Sequence, residues 1–134
     1  MLVIEDDEMI RELMDLILTQ AGFRVVLAGS GEAGLDLLQR LRVAIVLLDV
    51  HMPRMDGLQV LEAMRRMRRA VPVLMVTADR SSDTVGAAGA LGVSGYMAKP
   101  FTAEALLMRV RRALAPPAPA AGYTADGPDG FVDI

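Results

Sequence analysis

No cysteine occurs anywhere in the chain, which excludes a disulfide framework and any thiolate-ligated metal. There is one histidine, His51, so a metal cluster built on imidazoles is excluded as well. No apolar run approaches the ~18 residues that a membrane-crossing helix needs. The N-terminus, MLVIEDDE, is apolar and then acidic, the reverse of a secretory signal. An excess of basic charge is also missing. Residues 115–134 carry Asp126, Asp129 and Asp133 without a base, which leaves 14 acids against 14 bases in residues 1–114. A neutral body gives no footprint for nucleic acid. Lysine is nearly absent: Lys99 is the only one among 14 basic residues. These absences set the expectation of a cytoplasmic protein that binds neither membrane nor nucleic acid.

Apolar residues make up 53% of the 134 positions, enough for one domain with a sizeable core. Short apolar runs at Leu2–Ile4, Arg24–Leu27, Val43–Leu48, Val73–Val76 and Tyr96–Ala98 are near-continuous rather than alternating, as in strands covered on both faces. Between them, Ile10, Leu13, Met14, Ile17 and Ala21 follow helical spacing, as do Gly34, Leu37, Leu38 and Leu41, and Ala103, Leu106, Leu107, Val110 and Leu114. Met64 and Met67 mark a further helix as core-filling residues. Asp7, Ser30, Ser82 and Thr102 stand where N-caps belong. The segment 83–92, with Gly86, Gly89 and Gly92, predicts the weakest helix, expected to be mobile. Arg65, Arg66, Arg68 and Arg69 close a helix, where cations suit the dipole. Five strand–helix units predict an open parallel sheet with helices on both faces over residues 1–114. Residues 115–134, rich in Pro, Ala and Gly, read as a linker or tail, with Tyr123 and Phe131 as its only anchors.

Ligands of open α/β sheets bind beyond the carboxyl ends of the strands. The first strand ends in Glu5-Asp6-Asp7, the third in Asp49, the fourth in Thr77 and the fifth in Lys99. The second ends in Ala28-Gly29, with nothing reactive, and belongs at an edge. Clustered carboxylates repel by about 4 kcal/mol per pair at roughly 4 Å and an effective dielectric near 20. Unless one proton is shared, a cation is required. Oxygen donors alone point to a hard ion, Mg²⁺ first among them. A lysine and a hydroxyl opposite the metal would complete a clamp on a phosphoryl group. A rival motif, Gly29-x-Gly31-x-x-Gly34, follows a strand and opens a helix, with Asp49 beyond it, much as in a dinucleotide-binding domain. That reading leaves Glu5, Asp6, Thr77 and Lys99 without roles; the alternative makes the glycines turn and packing positions.

The stretches VIEDDEMIRELM, VLAGSGEAGLDLL, IVLLDVHMPRMDGLQVL, PVLMVTAD and GYMAKPFTAEAL, in this order, resemble the receiver domain of a two-component response regulator. The resemblance covers residues 1 to about 114. It implies a doubly wound, flavodoxin-like fold with five parallel strands in the order 2-1-3-4-5. It also implies that Asp49 accepts a phosphoryl group from a histidine kinase or histidine phosphotransfer protein. Glu5, Asp6, Asp49 and the backbone carbonyl of His51 would hold Mg²⁺. Thr77 and Lys99 would contact the phosphoryl group, and Thr77 and Tyr96 would form the switch. The Lys99–Pro100 bond would be cis. His51 and Asp79 fall at the positions that tune dephosphorylation. The domain would be a phosphoryl acceptor rather than a turnover enzyme. An aspartyl-phosphate phosphatase remains a rival, although His51 stands where such enzymes place a second aspartate. Residues 84–95 carry no charge, so a dimer held there by ion pairs is not expected. A monomer or weak dimer with an apolar docking surface for a downstream protein, within residues 84–112, is.

Overall fold

The computed structural model describes residues 1–115. Strands and helices alternate: β1 (Leu2–Ile4), α1 (Glu8–Gln20), β2 (Val26–Ala28), α2 (Gly31–Arg40), β3 (Val46–Leu48), α3 (Gly57–Arg66), β4 (Val73–Thr77), α4 (Ser82–Ala90), β5 (Gly95–Ala98) and α5 (Ala103–Leu114). The five strands form one parallel sheet in the order β2-β1-β3-β4-β5. The bare-ended second strand is at an edge, as expected. Residues 116–134, read as a linker or tail, lie outside the described residues.

The unbroken apolar runs follow from two cores. On one face Leu2, Ile4, Val46, Leu48, Val73 and Met75 pack with Leu38, Val60, Leu61 and Met64. On the other, Val3, Leu47, Leu74, Val76 and Met97 pack with Met14, Leu18, Leu106 and Val110. Successive strand residues point to opposite faces, so a strand covered on both sides must be apolar at every position. Strand pairing is shorter than the apolar runs. Ile45 is buried but precedes β3, and Arg24 and Val25 precede β2.

Three of the four expected N-caps, Asp7, Ser30 and Thr102, cap their helices, and Asp56 caps α3 without having been expected. Asp7, Ser30, Asp56 and Thr102 accept from the amides of Ile10, Ala33, Gln59 and Ala105. At α4 the cap is Ser81, not the expected Ser82: Ser81 Oγ accepts from the Thr84 amide at 3.3 Å, and Ser82 is already helical. The arginine cluster serves its neighbours as well as its own helix. Arg65 donates to the carbonyls of Leu91 and Gly92 at 2.8 and 3.1 Å, at the end of α4. Arg69 donates to Leu38 and Leu41 at the end of α2. Cations at helix C-termini satisfy orphan carbonyls and complement the dipole. The rival glycine motif is occupied by packing. A Cβ on Gly34 would run into the Ile4 side chain, and one on Gly31 into Val60 and Met55.

Candidate functional site

The sheet register delivers the polar strand ends to one crevice. Each ladder runs one residue past its strand: the amide of Glu5 donates to Ala28 O, that of Asp49 to Ile4 O and that of Lys99 to Thr77 O. Glu5, Asp49 and Lys99 therefore leave three strands at the same level. Glu5 and Asp49 are only 2% and 7% exposed, whereas Asp6 faces solvent. Carboxylate oxygens of Glu5, Asp6 and Asp49 lie within 4.8 Å of one another. Lys99 Nζ is 2.5 Å from Glu5 Oε1 and 2.9 Å from Asp49 Oδ2. The Asp7 amide donates to the other Glu5 oxygen at 3.1 Å. The Lys99–Pro100 bond is cis.

Burial pushes the Glu5 carboxyl up to about 7, against the Lys99 and Asp7 hydrogen bonds and with the help of the Asp49 charge. Burial would lower the Lys99 ammonium, but hydrogen bonds to Glu5 and Asp49 outweigh it and hold the group above its ordinary value. One ammonium thus offsets two buried acids while a third acid stands at the solvent edge. Three oxygen donors that close together, with no nitrogen or sulfur ligand, suit a small hard cation such as Mg²⁺.

The loop after Asp49 closes on itself. The Gly57 amide donates to Val50 O at 2.6 Å, and a Cβ at Gly57 would collide with the Asp49 carbonyl. His51 lies in this ring.

Residues 1–111 match the response regulator receiver domain family. The chain belongs to that family. It is 40% identical over 138 aligned positions to the response regulator MprA of Mycobacterium sp. (strain KMS), covering 99% of this chain and 57% of that protein. It is 38% identical to the transcriptional regulatory protein AfsQ1 of Streptomyces coelicolor, covering 85% of this chain and 50% of that one. The chain therefore spans about half the length of these relatives. Among solved structures it resembles the chemotaxis protein CheY4 of Vibrio cholerae, with a TM-score of 0.81, 32% identity, and coverage of 84% of this chain and 96% of that one. The receiver domain of NtrX from Brucella abortus matches with a TM-score of 0.79, 29% identity, and coverage of 84% and 96%.

The remaining receiver residues converge on Asp79. Thr77, 1% exposed, accepts the Asp79 amide on its hydroxyl at 3.2 Å. The Asp79 carboxylate accepts from the Ser81 amide at 2.9 Å and from the Thr84 hydroxyl at 3.0 Å, and lies 2.6 Å from His51 Nε2. These bonds, the Ser81 amide foremost, hold Asp79 well below the usual carboxylate range. The Tyr96 hydroxyl donates to the Asp79 carbonyl at 2.6 Å. Burial, then the Asp79 and Asp49 charges, raise that phenol. Of the residues expected from the sequence, Glu5, Asp6, Asp49 and Lys99 meet in the crevice, while His51, Thr77 and Tyr96 meet at Asp79. Thr84 and Ser81 were missed as members of the Asp79 network. Asp56 and Gln59 were missed too, although their reciprocal bonds form a capping box visible as Asp-x-x-Gln.

Proposed function

We propose that this receiver carries a phosphoryl signal in the cytoplasm, with Asp49 as acceptor and a histidine kinase or histidine phosphotransfer protein as donor. The observation that carries the reading is the meeting of Asp49 with Glu5, Asp6 and Lys99 in one crevice. An Asp49 carboxylate oxygen attacks phosphorus in line. The oxygen–phosphorus bond forms as the phosphorus–nitrogen bond to the donor imidazole breaks, and that nitrogen takes up a proton. Lys99, already on Asp49 Oδ2, is placed to meet the negative oxygens of the incoming group. Glu5, Asp6, Asp49 and the His51 carbonyl would hold Mg²⁺. When bound, the ion offsets charge on the phosphoryl oxygens.

Phosphorylation then replaces the single carboxylate charge of Asp49 by a phosphoryl group of about −1.5 to −2, a net gain of about −0.5 to −1 on the Thr77 side of the crevice. New contacts for the Thr77 hydroxyl compete with the one it makes to the Asp79 amide, and the Thr77–Asp79–Tyr96 chain passes the change to α4, β5 and α5. The result is a population shift read by a downstream protein at the 84–112 face, where Val85 and Met108 are exposed. The domain acts as a phosphoryl acceptor rather than as a turnover enzyme. The His51–Asp79 contact spans the crevice and sets the lifetime of the phosphoryl group.

The deciding experiment is incubation with acetyl phosphate or a phosphoramidate and Mg²⁺, read by mass. Wild type gains one phosphoryl mass and Asp49→Asn does not. Equal labelling of both, or of neither, would sink the reading. For the lifetime, His51→Ala and Asp79→Ala should each change the hydrolysis rate by several-fold. Rates within about twofold of wild type would remove the pair from this role, single outer contacts being worth more than that at metal sites.

A further inference from the structure

Arg11 has no role in the site as described so far, yet its guanidinium lies against the main chain of the acidic loop. Nη1 donates to the carbonyl of Glu5 at 2.9 Å and approaches that of Asp6 at 3.4 Å. Those two residues supply two of the three clustered acids. The Glu5 amide and side chain are committed elsewhere: the amide to Ala28 O in the ladder, and the carboxylate to Lys99 and the Asp7 amide. The orientation of the two peptide planes depends on what their carbonyls meet, and Arg11 is what they meet. The residue itself is fixed in α1, its amide bonded to Asp7 O at 2.9 Å.

A second observation comes from the opposite side. A Cβ placed on Gly29, in the loop after β2, would stand 3.1 Å from Arg11 Nη1 and 3.6 Å from Cζ. The absence of a side chain at Gly29 leaves the slot in which the guanidinium lies. The first glycine of the Gly29-x-Gly31-x-x-Gly34 motif thus faces the Arg11 guanidinium, which a side chain there would displace by a few tenths of an ångström.

We propose that Arg11 is a positioning residue for the divalent-cation site. It pins the Glu5 and Asp6 peptides so that both carboxylates face Asp49, and Gly29 keeps its slot open. Both carbonyls are met by one nitrogen, Nη1, whose two N–H groups are held in the guanidinium plane, whereas an ammonium on a flexible stem fixes no such plane. This inference rests on the Mg²⁺ reading given above.

The test is calorimetric titration of the full chain with MgCl₂, paired with thermal unfolding in the absence of metal. The variants are Arg11→Met, Arg11→Lys and Gly29→Ala, with Asp6→Asn as the control that loses a ligand. Arg11→Met should raise the Mg²⁺ dissociation constant about tenfold, in line with losses of outer contacts at metal sites. Arg11→Lys should fall between it and wild type, and Gly29→Ala should shift affinity in the same direction. A purely structural role would lower the metal-free unfolding temperature and leave the affinity of the folded protein unchanged. That result, or affinities of Arg11→Met and Gly29→Ala within about twofold of wild type, overturns the inference. If Asp6→Asn loses Mg²⁺ in the same series, the cation site itself stands. No Mg²⁺ binding by wild type would overturn both. Should Arg11→Met fail to fold, Gly29→Ala and Arg11→Lys decide alone.

Discussion

The half of the molecule that holds Asp49 and the half that holds Asp79 and Tyr96 are fastened by different means. α3, which follows Asp49, buries Gly57, Val60, Leu61 and Met64. α4, beside it, buries only Ala88. Its hold comes from hydrogen bonds: Asp79, Ser81 and Thr84 at its start and Arg65 on the Leu91 and Gly92 carbonyls at its end. Full burial of a large apolar side chain contributes about 1.5–3 kcal/mol, and a typical hydrogen bond about 0.5–1.5 kcal/mol. Apolar packing is also lost by degrees of volume and cannot be exchanged for another partner, whereas a hydrogen bond can be. The Asp49 half resists displacement, and the α4 half can trade one set of partners for another.

That contrast can be broken from the packed side first. Met64→Ala should cost about 2–5 kcal/mol in urea unfolding, the usual range for a buried methionine. A cost below 1 kcal/mol, under the range in that principle, would mean α3 is no better anchored than α4.

The two halves should also answer differently to pH. Glu5 ordinarily titrates near 4.5 and is held at about 7 by burial. Its protonated form is the one the fold favours, so its contribution is complete below 4.5 and is lost as pH rises through about 7. Without Mg²⁺, stability should therefore decline between those two values, and Glu5→Gln should flatten the decline. Asp79 has the opposite sign. Its pKa is lowered, so its contribution is present above the ordinary carboxylate range and is lost only in strong acid. Asp79 should contribute no slope across the neutral range. An unchanged slope in Glu5→Gln would contradict this division.

The smallest effect concerns α4 itself. A Cβ at Gly86 or Gly89 would meet nothing within 4 Å, and neither has a positive φ. Gly86→Ala and Gly89→Ala should each stabilise by roughly 0.5–1 kcal/mol. If either destabilises in thermal unfolding, α4 is more tightly packed than its burial indicates.

The fold was legible because strand ends and helix starts carry local signals. Glu5, Asp49, Thr77 and Lys99 each terminate an apolar run, and sheet register does the rest. The edge position of β2 followed from its bare end. What stayed hidden depends on partners distant in sequence. Nothing near Arg65 or Arg69 indicates that their targets are carbonyls 26 to 31 residues away. Arg11 looks like an ordinary polar position of an amphipathic helix until Glu5 and Asp6 fold back toward it. Ser81 and Ser82 are equivalent as cap candidates. The choice falls to Ser81, whose amide is also held by Asp79. His51 and Asp79 were paired only through family position, and their 2.6 Å contact reflects the tertiary approach of two loops.

The ring formed by Asp49, Val50 and Gly57 has a consequence for length. Because the Gly57 amide returns to Val50 O and the glycine sits against the Asp49 carbonyl, the intervening segment has a fixed circumference. Pro53 and Arg54 lie exposed in it, with Arg54 at φ +67° and its side chain bonded to Glu32. An inserted or deleted residue cannot be absorbed there, since it would either open the ring or turn the Asp49 peptide. The number of residues between Val50 and Gly57 is set by the ring that Asp49 helps to close.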